Sequence, residues 1–205
     1  HVTHGRPIAF ATGVKLARRD LDVVVFTGDG DGAAIGGNHL IHAARRNIGL
    51  KVILVNNMIY GMTGGEAAPT TPRGVRTATT PFGSLERPFD ISRLVEAAGA
   101  CFVARWTTAH YAQLKDTIMR ALERRVFSFV EVVSHCPVQY GRRIGISDPV
   151  RMIEWFRKMS VSKQQAAEMT REDLAGKIVV GEFVDIDEAE LTEEYEKLFE
   201  RHGNE

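Results

Sequence analysis

One stretch constrains the fold more than any other. It runs from Leu21 to Asn57 as LDVVVFTGDGDGAAIGGNHLIHAARRNIGLKVILVNN. VVVF, apolar and β-branched and followed closely by glycine, reads as a buried strand. GGNHLIHAARRN reads as a helix, with Arg45 and Arg46 near its C-terminus, where cations suit the dipole. LKVILVNN, Leu50 to Asn57, is a second buried strand. Strand, helix and strand within so short a span make a parallel βαβ unit with a right-handed crossover. The alternation then repeats: DISRLVEAAGA as helix, CFVARW as strand, AHYAQLKDTIMRALERR as helix, VFSFVEVVSH as strand. The prediction is an α/β fold with a doubly wound, mostly parallel sheet.

The chain has 205 residues, enough for a sizeable core. Its 26 Lys and Arg balance 26 Asp and Glu, so no broad field points to nucleic acid or an anionic membrane. The longest apolar runs are of strand length, and no membrane span is expected. Two cysteines are too few for a disulfide framework, and a reducing cytoplasm is the expected location. No signal peptide is visible. The first residue is His1 rather than Met, so the natural start is expected upstream. Between Asn57 and Phe89 the chain is rich in Gly, Thr and Pro, with no sustained period. A stretch this long, leaving the C-terminal end of a strand, is expected to be an active-site loop. Beyond Gly145 come charged amphipathic pieces. The expected division is residues 1–147 as a cofactor-binding domain and 148–205 as a C-terminal helical appendage.

Gly28, Gly30 and Ala33 fit a dinucleotide fingerprint, which is a weak signal alone. The acidic residue that would hold a ribose is absent between Asp31 and Glu66, and there is no P-loop motif. Asp29, between the glycines, would repel a phosphate unless a divalent cation lay between them. Mg²⁺ takes six oxygens, usually from a carboxylate, phosphates and water. Asp29, the amide oxygen of Asn57 and the backbone carbonyl of Ile59 would provide the protein's share. The helix beginning near Gly36 and Gly37 would offer free N–H groups to a diphosphate. A tight turn with a capping aspartate is the plainer alternative, but it leaves Asn57 and the long loop without a role.

GDG, 25 residues and then NN is the thiamine-diphosphate motif. Together with HGRPIAFATGVKLA before it and NNMIYGMTGG and PTTP after it, the chain resembles the β subunit of the 2-oxoacid:ferredoxin oxidoreductases, most closely the 2-oxoglutarate branch. The similarity runs from His4 to about Gly145, and more loosely through IVVGEFVDI. It implies a sheet of the thiamine-diphosphate-binding type, with Asp29, Asn57 and Ile59 on Mg²⁺. The implied cofactor contacts are His4, Gly28, Gly30, Asp31, Ile35, Gly36, Gly37, and then Gly61, Met62 and Thr63 in the loop. Cys136, in SHCPVQY, would be the fourth ligand of a [4Fe–4S] cluster whose other cysteines lie upstream in the family. Read without the family, Cys136 is a buried apolar thiol, as Cys101 is. Some members carry a lysine where this chain has Gly64, and Arg73 is the expected substitute toward the substrate carboxylate. His39 and His42, one turn apart, are read as a packing surface.

The implied reaction is oxidative decarboxylation of a 2-oxoacid, expected to be 2-oxoglutarate, to acyl-coenzyme A and carbon dioxide. Electrons would pass through the cluster to ferredoxin. The glutamate that activates the cofactor lies on the α subunit in the family, so that subunit is the expected partner, in a heterodimer or dimer of heterodimers. Two alternatives stand: a non-oxidative thiamine-diphosphate decarboxylase or carboligase, and a cofactor-free assembly subunit.

Overall fold

The structure is a computed structural model and describes residues 1–202. Helix α1 (Pro7–Ala17) opens on a proline in its first turn, where the missing N–H costs nothing. Strand β1 (Val23–Gly28) follows, then a π-helical turn over Gly30–Ile35 and helix α2 (Gly37–Arg45). Strand β2 (Leu50–Asn56) pairs with β1 in parallel, with Gly28 opposite Val55. After the long loop come α3 (Ile91–Ala97), β3 (Phe102–Thr107), α4 (Tyr111–Glu123) and β4 (Ser128–Val133). β4 lies between β2 and β3 and is parallel to both.

Side chains alternate across these strands, and each set meets its own helices. On one face Val25, Val52, Leu54, Val103 and Phe129 pack beneath α1, α2 and α3. On the other, Ile53, Phe102, Ala104 and Val130 pack beneath α4 through Ala121, Leu114 and Ile118. This is the layering that a parallel sheet requires, because both faces need cover. Every residue of β4 is buried, so its sequence shows no period of two.

The C-terminal part contains helices α5 (Pro149–Met159), α6 (Lys163–Glu168) and α7 (Leu191–His202). It also contains strands β5 (Ser160–Ser162) and β6 (Ile178–Asp185), which sequence inspection did not separate from the helical pieces. β6 joins the sheet antiparallel to β3, giving the order β1-β2-β4-β3-β6-β5. Gly181, at φ +132°, and a register shift at Val103/Ala104 break the alternation that marks a strand. Helix α7 returns to the start of β2. There Glu190 accepts a 3.1 Å bond from the Gly49 N–H, and the Leu191 N–H donates 3.1 Å to the Asn47 carbonyl.

Candidate cofactor and metal site

Asp29 follows the last residue of β1, and Asn57 follows the last residue of β2. The register that pairs Gly28 with Val55 therefore brings both to one end of the sheet. The long loop folds back over them. Thr70 donates a short hydrogen bond to the Asp29 carboxylate, while Thr71 donates 2.7 Å to the Met58 carbonyl. Two successive threonines thus tie the aspartate and the asparagine turn to a single strip of loop.

Asp29 is 3% exposed. Burial pushes its pKa up to about 6, against the Thr70 hydroxyl and the backbone N–H groups of Asp29 and Gly30 that favour the charge. A buried carboxylate with only neutral donors around it gains most from a nearby cation. The donor types also suit Mg²⁺, with one carboxylate, one amide oxygen and a backbone carbonyl at hand. The Asn57 amide oxygen accepts from the Ile59 N–H at 3.2 Å, fixing the side chain against the turn that carries the Ile59 carbonyl. Met58 between them sits at φ +63°, a left-handed conformation that costs an ordinary residue about 1–2 kcal/mol.

The glycines have steric reasons. A Cβ on Gly30 would enter the ring of Tyr60, whose hydroxyl donates 3.1 Å to the Gly30 carbonyl. At Gly36 a Cβ would meet the carbonyl oxygens of Asp31 and Gly5. The Asp31 carboxylate gathers three elements: its oxygens take 2.5 Å bonds from the Gly5 N–H and the Thr27 hydroxyl, and His4 Nδ1 lies 2.7 Å away. His4 is thereby drawn to the π-helical turn, with its ring 6.2 Å from that of Tyr60. Gly28 ends β1, Ile35 ends the turn and stands exposed, and Gly37 begins α2. Gly61 lies against the Asn57 amide. Met62 is almost fully exposed, and Thr63 is exposed beside it.

Arg73 is exposed in the loop. The cation that touches Gly64 is a different one, Arg143, whose Nη2 donates 3.0 Å to the Gly64 carbonyl while its Nε is buried without a partner. Cys136 is half-buried just past β4, in a cluster with Met58, Tyr140 and Trp155. Cys101 directly precedes β3, at the opposite end of the sheet, so the two thiols do not meet. Among the described residues, no group of three or more His, Cys, Asp or Glu is placed to hold a metal. A [4Fe–4S] cluster takes four such ligands, so this chain's own cysteines do not suffice for one.

Sequence inspection missed Asn56, Tyr60, Thr70 and Thr71 as parts of this site. The PTTP string held the last two, but a hydroxyl's partner across the loop is invisible to local pattern. A cleft of about 1020 Å³ adjoins the site, walled by residues such as Ala33, Gly37, Ile41, Thr71 and Phe82. Tyr60 borders it, whereas Asp29 and Asn57 do not, so these two residues lie beside the cleft and not on its wall.

Residues 1–132 match the thiamine pyrophosphate enzyme family, in its C-terminal TPP-binding domain. The chain is 55% identical over 201 residues to the 2-oxoglutarate synthase subunit KorB of Methanocaldococcus jannaschii, covering 98% of this chain and 74% of that protein. It is 47% identical over 138 residues to the 2-oxoglutarate oxidoreductase subunit KorB of Mycobacterium tuberculosis, covering 67% of this chain and 37% of that protein. Among solved structures it resembles the 2-oxoglutarate:ferredoxin oxidoreductase from Magnetococcus marinus with 2-oxoglutarate, coenzyme A and succinyl-CoA bound. There the TM-score is 0.84 at 31% identity, over 98% of this chain and 69% of that one. On its sequence and its fold alike, the chain belongs to the thiamine pyrophosphate enzymes and, within them, to the β subunits of the 2-oxoacid:ferredoxin oxidoreductases.

Proposed function

We propose that this chain holds thiamine diphosphate and Mg²⁺ for an enzyme that converts 2-oxoglutarate and coenzyme A to succinyl-CoA and carbon dioxide, passing electrons to ferredoxin. The observation that carries the cofactor assignment is the buried Asp29 carboxylate at the end of β1, beside the Asn57 turn at the end of β2. Thiamine diphosphate, when bound, supplies a carbon nucleophile for the 2-oxo carbon and accommodates the electrons that decarboxylation leaves behind. The protein's part is to bind and orient. Asp29, the Asn57 amide oxygen and the Ile59 carbonyl hold the cation, and Gly36 and Gly37 let the backbone approach the diphosphate. The Gly36 N–H, expected to be free, is instead taken by the Asp31 carbonyl at 3.0 Å, because the π-helical turn runs straight into α2. Gly28, Gly30, Asp31, Ile35, Gly61, Met62 and Thr63 border the cofactor, with His4 held on Asp31.

Arg73 is the cation proposed for the substrate carboxylate, because Arg143 is engaged with Gly64. Cys136 offers one thiolate to a [4Fe–4S] cluster whose remaining ligands are not among this chain's cysteines. Residues 1–147 form the cofactor-binding part; of 148–205, expected as an appendage, β6 is a strand of the same sheet. An α subunit completes the active site and supplies the activating glutamate, in a heterodimer or a dimer of heterodimers in the cytoplasm.

Titration of thiamine diphosphate into the assembled enzyme tests the central assignment. Asp29→Ala should abolish Mg²⁺-dependent binding, since it removes the only charged ligand. Unchanged affinity with unchanged Mg²⁺ dependence would refute the site.

A further inference from the structure

The Asn57–Ile59 turn is held from behind. Asn56 is 5% exposed, and its amide oxygen accepts the Met58 N–H at 3.0 Å, the bond that supports Met58 in its left-handed conformation. An Asn amide rotates unless its other end is also bonded. Here its Nδ2 donates 2.8 Å to Oε1 of Glu131, which is 2% exposed in the middle of β4.

The other oxygen of Glu131 is fully used. Ser92 donates to it at 2.6 Å and Arg105 Nε at 2.7 Å, Arg105 being the residue directly opposite on β3. Arg105 also forms a short bond to Asp90, which caps α3 where the long loop ends. Burial opposes the guanidinium's charge, but Glu131 and Asp90 more than restore it. One buried carboxylate therefore fixes both ends of the loop: Asn56 where it leaves β2, and Ser92 with Asp90, through Arg105, where it enters α3.

Placing a carboxylate at the centre of a wholly buried strand is costly, and an apolar residue would pack there without partners. What the carboxylate adds is direction, because a charged acceptor selects one of the two orientations of the Asn56 amide. We infer that Glu131 is a positioning residue for the cation site, acting through Asn56 to hold the turn that presents Asn57 and Ile59. The inference rests on the proposed Mg²⁺–thiamine diphosphate assignment. Glu131 touches neither cofactor nor substrate in this scheme.

The test is calorimetric titration of thiamine diphosphate at several Mg²⁺ concentrations into the full chain assembled with its partner subunit. The forms compared are the parent, Asp29→Ala, Glu131→Gln, Asn56→Ala and the Glu131→Gln/Asn56→Ala double variant. Glu131→Gln should weaken Mg²⁺-dependent binding about tenfold, the low end of the loss seen when a direct partner of a metal ligand is removed, because Glu131 stands one residue further out, behind Asn56. Turnover at saturating cofactor should stay within about twofold, since only binding is impaired. The double variant should bind no worse than the weaker single variant, because both act through one link.

Parental affinity in Glu131→Gln, or losses that multiply in the double variant, would overturn the inference. If Glu131→Gln does not fold, Asn56→Asp decides. It keeps the oxygen that accepts from Met58 but cannot donate to Glu131, so it should bind weakly, and parental binding would overturn the inference. Asp29→Ala separates the two levels: if it binds normally, the cofactor assignment fails, and if it alone fails to bind, only the role of Glu131 does.

Discussion

The ammonium of Lys51 is 1% exposed in β2, far from the cofactor end, with a 3.2 Å bond to the Val126 carbonyl. Burial, and then Lys15, lower its pKa to about 8, with Asp22 and Glu190 working the other way. The unfolded chain then binds more protons than the folded one between pH 8 and the ordinary lysine value of 10.5. Stability should therefore rise with pH across that window, and the contribution should be lost as the pH falls toward 8. Lys51→Met should flatten this rise and leave the urea midpoint at pH 7 equal or higher. A pH slope unchanged in the variant would show that some other group carries it. Cys136 raises a different question. As a cluster ligand it cannot become serine, a harder and poorer donor, without loss of iron. Cys136→Ser in the intact assembly should lose the [4Fe–4S] resonance while keeping thiamine diphosphate affinity. Full iron content with normal ferredoxin reduction would return Cys136 to an ordinary packing role.

At the level of elements, the π-helical turn Gly30–Ile35 is the piece most tightly fitted. Its first residue lies beneath the Tyr60 ring, so Gly30→Ala forces the ring aside and pulls the loop with it. The expected cost is about 1–3 kcal/mol, typical of overpacking at a close contact. Cofactor affinity should fall as well. In a Tyr60→Ala background the same change should cost less, because the clash is gone. Urea denaturation of the four proteins measures it, and equal costs in both backgrounds would discard the steric account. The strands around this turn were legible in sequence because their apolar runs had strand length and were closed by glycine or asparagine. The π-helical turn was not, since it arises from where Asp31 finds partners: Gly5, Thr27 and His4, two of them in the segment that precedes α1.

Among the described residues of the whole molecule, the three most exposed large apolar side chains lie on loop 57–89: Met62 at 99%, Phe82 at 97% and Leu85 at 86%. Side chains of this size left in water commonly mark a partner surface. Phe82→Asp with Leu85→Asp should leave the chain folded, because both side chains are almost wholly exposed at the mouth of the cleft. Assembly with the α subunit should weaken by an amount that sedimentation detects. Unaltered assembly would place the contact elsewhere. No helix among the described residues is long and apolar enough to cross a membrane.

Sequence by itself determined the parallel β–α–β frame, because apolar runs and glycine punctuation are local and survive any tertiary arrangement. It also singled out the proposed cation ligands, since Asp29 and Asn57 directly follow neighbouring strands of that frame. Only the tertiary structure decided that β6 closes the sheet antiparallel to β3, since a bulge and Gly181 erase its alternation. The same holds for Glu131. The acid inside VFSFVEVV and the arginine inside CFVARW each stand alone in an apolar run, where local pattern gives neither a role. That they stand opposite each other, with Asn56 and Ser92 on the same carboxylate, follows from strand order β2-β4-β3. Order among parallel strands is set by which helices can cover which faces, a property of the whole packed molecule.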